Sequence, residues 1–98
     1  MALQIQKTEN VFILKGSLHS NQVFEIRNFF QHKLKSDASV TVSLAGLDDL
    51  DLSAALMFKQ LKNEAYQMNK SFTVFNAGNK KVLGPFLMLE EPVLLAAA

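Results

Sequence analysis

The chain is 98 residues long, enough for one domain with a single buried core and too short for two. Apolar residues make up 49% and charged residues 19%, a globular composition that excludes a disordered or fibrous chain. The formal net charge of +1 comes from ten basic side chains scattered along the sequence, with only Lys80 and Lys81 adjacent, whereas nucleic-acid binding needs a clustered basic stripe.

The chain reads from the start as strand structure. Leu3, Ile5 and Lys7 alternate with Gln4, Gln6 and Thr8, and Val11 to Lys15 is rich in β-formers, so two strands joined by a Glu9-Asn10 turn are predicted. Gly16 is expected to close the second strand. Ser20 or Asn21 then offers a side-chain oxygen to cap a helix beginning near Gln22. Val23, Ile26, Phe30 and Leu34 recur at helical spacing and give that helix one apolar face, ending near Ser36-Asp37. Phe24, Phe29 and Phe30 cannot all lie on that face, so at least one is expected at the surface, as part of a partner or homodimer contact.

Val40 to Leu44 is a β-branched run of strand length, followed by an expected loop from Ala45 to Leu50. Asp51 caps a second helix with inward positions at Ala54 or Ala55, Phe58, Leu61, Ala65 and Met68, and with Lys59, Lys62 and Glu64 outward. Phe72 to Phe75 is the fourth strand. Asn79 to Leu83 starts a third helix that Gly84-Pro85 interrupts or ends, and the apolar stretch Phe86 to Leu95 is read as a short helix packed on the sheet. Ala96, Ala97 and Ala98 fit a helix end or residues added in cloning and carry no functional weight. The order implies one α/β domain over residues 1–98, with right-handed crossovers, a four- or five-stranded mixed sheet and helices mainly on one face.

Several chemistries find no support. With no cysteine, disulfides, thiolate metal sites and cysteine nucleophiles drop out together, and a reducing cytoplasmic setting fits. Met1 to Asn10 lacks the continuous apolar stretch of a secretory signal, and no segment approaches the ~18 apolar residues of a membrane span, so direct membrane insertion is not expected. His19 and His32 have no second ligand at metal spacing, and Gly16, Gly46, Gly78 and Gly84 are too dispersed for a phosphate loop, so no metal or cofactor is expected. Ser53, His19 and the aspartates hold the inventory of a nucleophilic triad without any spacing that brings them together. Asp48, Asp49 and Asp51 suit the positive end of a helix dipole, and three residues on one loop are few for a cation cage. Binding, not catalysis, is the expected activity.

The informative segment is Leu44 to Leu56, LAGLDDLDLSAAL, in which a strand runs through a short connection into a helix. Ligands and partners of open α/β sheets are met at the carboxyl ends of strands. Ser53 falls in the helix's first turn, where unpaired amides and the dipole favour a phosphate, so a phosphate there is expected to be tolerated by the domain.

From residue 3 to about residue 90 the chain resembles the STAS domains of bacterial anti-sigma factor antagonists, which are regulators of transcription. Gly16-Ser17-Leu18 matches the family's strand ending, Asp51-Leu52-Ser53-Ala54 occupies its Asp-Ser-Ser-Gly position, and Phe72 to Asn76 resembles the strand before the last helix. The departures are Leu52 for the first serine, Ala54 for the glycine and His19 for a common aspartate. The resemblance implies a phosphoprotein, modified at Ser53 by a partner serine kinase that is also the anti-sigma factor and is bound by the unphosphorylated form. His19, Asn21, Asp49, Asp51, Leu52 and Ala54 are the expected partner-binding residues. The alternative it implies is an unphosphorylated STAS adaptor subunit in a transporter or another complex.

Overall fold

A computed structural model describes residues 2–89 and 93–95; the three terminal alanines set aside above, and 90–92 within the stretch read as a last helix, lie outside the described residues. β1 (Gln4–Thr8) and β2 (Val11–Leu18) form the expected antiparallel hairpin, turned by Glu9-Asn10 with Glu9 at φ 54°. β2 runs parallel to β3 (Ser39–Leu50), β3 to β4 (Ser71–Phe75), and β4 to the two-residue β5 (Leu94–Leu95). The spatial order β1-β2-β3-β4-β5 is the sequence order, a five-stranded mixed sheet. Helix α1 (Ser20–Ser36) connects β2 to β3, and α2 (Leu52–Gln67) connects β3 to β4. A 3-10 turn (Lys80–Val82) and α3 (Leu83–Leu87) follow β4.

Period-two burial along the strands decides which face the helices cover. Phe12, Leu14 and Leu18 of β2, Val40, Val42 and Leu44 of β3, and Phe72 and Val74 of β4 are buried. Ile26, Phe30 and Leu34 of α1 and Ala54, Ala55, Met57, Phe58, Leu61 and Ala65 of α2 close over them. A relay of rings ties the layers together: Phe12 to Phe30 at 5.6 Å, Phe30 to Phe72 at 5.5 Å, Phe72 to Phe58 and Phe58 to Phe86 each at 6.3 Å. Each ring buried there contributes about 1.5–3 kcal/mol, with about 0.5–1.5 more for each edge-to-face pair. The three helices of the described residues therefore pack on one face.

The structure corrects the sequence reading in six places. Gly16 does not close β2, which continues to Leu18, and the expected loop Ala45 to Leu50 is the second half of β3. That half is poor in β-formers and is held by pairing: Lys15 with Gly46, Gly16 with Leu47, Ser17 with Asp49 and Leu18 with Leu50, with register shifts on either side of the first two pairs. α1 begins at Ser20 with His19 as its N-cap, whose N–H donates to Gln22 Oε1 at 2.8 Å. Met68 is the exposed C-cap of α2, and Met57 takes the inward place. Gly84 and Pro85 lie inside α3, where an early proline loses no intrahelical bond, and the segment read as a final helix ends α3 at Leu87 and supplies β5.

Gly46 marks the irregular ladder. A Cβ there would lie 2.7 Å from Lys15 Cγ and 3.0 Å from the Leu14 carbonyl oxygen, and only the lysine is free to move. Gly46→Ala is expected to cost about 1–3 kcal/mol, which thermal unfolding would read as a fall of roughly 4–8 °C per kcal/mol for a domain of this size. An unchanged melting temperature would show that the two strands tolerate a side chain at this crossing.

Candidate functional site

β2 and β3 are parallel neighbours in register at Leu18 and Leu50, and each runs straight into a helix. The N-termini of α1 and α2 consequently lie side by side at the carboxyl end of the sheet, where partners of open α/β sheets are met. Asp51, the N-cap of α2, joins them. Its backbone N–H donates to Leu18 O at 3.2 Å. Its Oδ1 accepts from the Ser53 hydroxyl at 2.6 Å and from the Ala54 N–H at 3.2 Å, while Oδ2 accepts from the Ser20 N–H at 2.7 Å. One carboxylate thus satisfies orphan amides of two helices. Burial pushes its pKa up, but the Ser53 hydroxyl, the Ala54 and Ser20 amides and the nearby His19 outweigh that and hold it below the usual aspartate value.

A second pair closes the site. His19 Nε2 donates to Asp49 Oδ2 at 2.6 Å, and Asp49 Oδ1 accepts from the Leu50 N–H at 2.9 Å. Both side chains are about half exposed, so the pair is open to a partner. Lys81 Nζ stands 3.7 Å from Asp48 Oδ1. Asn79 fixes the β3 end from behind: its Nδ2 donates to Leu47 O at 2.7 Å and to Leu44 O at 2.9 Å, and its Oδ1 accepts from the Lys81 N–H at 3.1 Å. Among the described residues no three His, Cys, Asp or Glu side chains converge as a metal cage.

Next to the polar cluster runs an apolar seam. Ser20 touches Asp51, and Arg27 and Gln31 each donate to Glu64 at 2.9 Å, so α1 and α2 run side by side in the same direction. Ser20, Phe24, Arg27 and Gln31 share one helical stripe on α1, and Ser53, Met57, Gln60 and Glu64 share the one that faces it on α2. The apolar side chains of this seam are Phe24 on α1 and Leu52 and Leu56 on the outer side of the first two turns of α2, and they are 74%, 39% and 41% exposed. Phe29 and Phe30, by contrast, pack on Phe12 and are half-buried and buried, so Phe24 is the ring left over from the core.

Six of the seven residues singled out in the sequence gather here. His19, Asp49, Asp51 and Ser53 are joined through the hydrogen bonds above, with Asn21 and Leu52 exposed beside them. Ala54 is placed otherwise: its methyl is fully buried in the core, and only its N–H serves the site. Ser53 is half-buried with its hydroxyl already committed to Asp51. Sequence reasoning missed the His19–Asp49 pair, the seam residue Leu56, and Asn79, while Phe24 is the ring of the three phenylalanines on α1 that lies at the surface as expected. Only the seam left a signal, as apolar residues outside the core stripe of each helix.

The helix-covered five-stranded sheet, with its antiparallel first hairpin and paired helix starts, is the STAS fold of anti-sigma factor antagonists. The chain is similar to the solved structure of the anti-sigma factor antagonist SpoIIAA in its unphosphorylated form. Identity is 16%, 99% of this chain and 89% of that one are covered, and the TM-score is 0.74. It is also similar to an anti-sigma factor antagonist from Mycobacterium paratuberculosis, at 11% identity over 79% of this chain and 68% of that one, with a TM-score of 0.53. No family model and no curated protein sequence matches the chain.

Proposed function

We propose that the protein is a regulatory binding module without catalytic activity of its own, working in the cytoplasm on a partner serine kinase of the anti-sigma factor kind. The observation that carries this reading is the joined start of α1 and α2. There a serine lies in the first turn of a helix, tied to an aspartate that also holds the neighbouring helix, with exposed Phe24, Leu52 and Leu56 alongside. Phosphorylation of Ser53 adds a charge of about −1.5 to −2 at the centre of that surface. His19, Asn21, Asp49, Asp51 and Leu52 form its polar and apolar surroundings. The fold shared with two anti-sigma factor antagonists supports the same reading.

The test is incubation with a candidate anti-sigma kinase and ATP, followed by mass spectrometry of the modified peptide. One phosphate on Ser53, absent from Ser53→Ala, is the expected result. A kinase that binds the protein tightly yet leaves Ser53 unmodified would overturn the switch. A second reading would then hold, an unphosphorylated adaptor subunit in a transporter or other complex. The bond from Ser53 to Asp51 favours that second reading, because it gives the serine a structural use that needs no kinase.

A further inference from the structure

β3 outruns its neighbour on one side. β4 pairs with it from Ser39 to Ser43 only, so the stretch from Leu44 to Leu50 has β2 as its one strand partner among the described residues. That remaining ladder is irregular, with register shifts between Ile13 and Lys15 and between Gly16 and Ser17. A ladder bulged twice around a glycine specifies its own register weakly, and a slip of one residue carries side chains to the opposite face. Asn79 takes the place that a longer β4 would have filled. The turn that delivers it has Ala77 at φ 50° and Gly78 at φ 79°, and it is closed by Asn79 N–H to Asn76 O at 2.9 Å and Asn76 Nδ2 to Asn79 O at 3.2 Å. Asn76 is itself buried, which anchors the turn.

We infer that Asn79 is a positioning residue of the site: its side-chain amide pins the bulged register of β3, and that register puts Asp49 within reach of His19. The two hydrogens of Nδ2 serve the Leu47 carbonyl at 2.7 Å and the Leu44 carbonyl at 2.9 Å, with the Ala45 carbonyl farther off at 3.4 Å. These carbonyls lie on both sides of Gly46, which pairs with Lys15 directly after the first register shift. One amide therefore holds both sides of the irregular step. Oδ1 accepts from the Lys81 N–H at 3.1 Å, so the side chain cannot turn end for end without losing the cap as well as the carbonyls. Asp49 follows Leu47 by two residues, and its Oδ2 meets His19 Nε2 at 2.6 Å across the joint between β2 and β3. The contact of Lys81 with Asp48 ties the same turn to the same stretch, but both side chains are mostly exposed and it adds little. The consequence for function, that a partner meets the His19–Asp49 pair already set in place, rests on the reading of the joined helix starts as the binding surface.

The chain has two histidines, so the imidazole signals in a proton NMR spectrum report on His19 with His32 as the internal reference, and His32→Gln assigns them. Asp49→Asn at the same pH gives the position of the His19 signals without their carboxylate partner. Asn79→Ser keeps an oxygen for the Lys81 N–H but is too short to reach the β3 carbonyls, and Asn79→Ala loses both. Both variants are expected to move the His19 signals most of the way to their Asp49→Asn positions while the His32 signals stay in place. Val40→Ala, a buried deletion at the far end of the same strand, lowers stability and is expected to leave the His19 signals where they are. The experiment needs no partner, so its failure is separate from a failure of the kinase reading. His19 signals that coincide with wild type in Asn79→Ser would overturn the proposal, because the ladder with β2 would then set the register alone. Equal movement in Val40→Ala would overturn it too, since the shift would then report a general loosening of the fold.

Discussion

Asp51→Ala is expected to lower the stability of the free protein by about 2–4 kcal/mol, more than any other single change outside the core. The carboxylate receives three donors from two helices, the Ser53 hydroxyl, the Ala54 N–H and the Ser20 N–H. Loss of an ordinary N-cap costs about 1 kcal/mol, and hydrogen bonds to a charged group are worth about 1.5–3 kcal/mol. Because the two helix starts share one residue, the losses fall together. For a domain of this size a melting temperature lower by roughly 10–25 °C follows. Asp51→Asn keeps the shape but not the charge, and it turns a donor toward one of the donors it should accept; its cost is expected to lie between wild type and alanine.

The pH dependence separates the charge from the cap. The Asp51 carboxyl is held below its usual value, near 3.9 for an unfolded aspartate. A depressed folded pKa means that the unfolded chain takes up the proton first as pH falls. The charge contribution is therefore complete above about pH 4–5 and is lost as pH drops through the folded pKa. Chemical denaturation at pH 7 should show a clear gap between wild type and Asp51→Asn, and at about pH 3 or below the gap should narrow. Equal midpoints at pH 7 would mean that solvent serves the two helix starts as well as the carboxylate does.

How far the sequence foretold this site depends on the range of the interaction involved. Ile26, Phe30 and Leu34 were legible because a helix buries residues at a fixed spacing, and the Asp51 cap was legible because it acts within three residues. The strand Ala45 to Leu50 was not. Gly46, Asp48 and Asp49 are poor strand formers, and pairing with β2, about thirty residues away in sequence, outweighs that local preference. The same distance hid the contact of His19 with Asp49, since nothing local to either residue indicates that two parallel strands end together. Ala54 is a different kind of miss. It belongs to the stripe Ala54, Phe58, Leu61, Ala65 that made it a core position, and the motif alignment that offered it to a partner ignored that stripe.

If the protein acts on an anti-sigma-type kinase as proposed, Ser53→Asp is expected to weaken binding to that kinase a hundredfold or more while changing the domain itself far less. The structure revises the idea that the domain would accept a charge at this position without consequence. The Ala54 N–H already points to Asp51, and the Ser53 hydroxyl is a donor 2.6 Å from the same carboxylate. A phosphate or an aspartate side chain removes that donor and sets two negative charges face to face. At a partly exposed site unit charges ~4 Å apart repel by about 1–4 kcal/mol, the lower figure for full hydration, so a fall in melting temperature of several degrees is expected. In a complex formed on this surface, as proposed, the same charge would be enclosed between the helix starts and the partner, with Asp51 as its nearest neighbour. An unpaired buried charge costs several kcal/mol, and each 1.4 kcal/mol is tenfold in affinity. Ser53→Ala removes only the hydroxyl and is expected to bind within about tenfold of wild type. Titration calorimetry of the three proteins with the same kinase, beside their thermal melts, separates the two effects. If Ser53→Asp bound as tightly as wild type while melting lower, the charge would act on the domain alone, and the partner would have to dock elsewhere than on this seam.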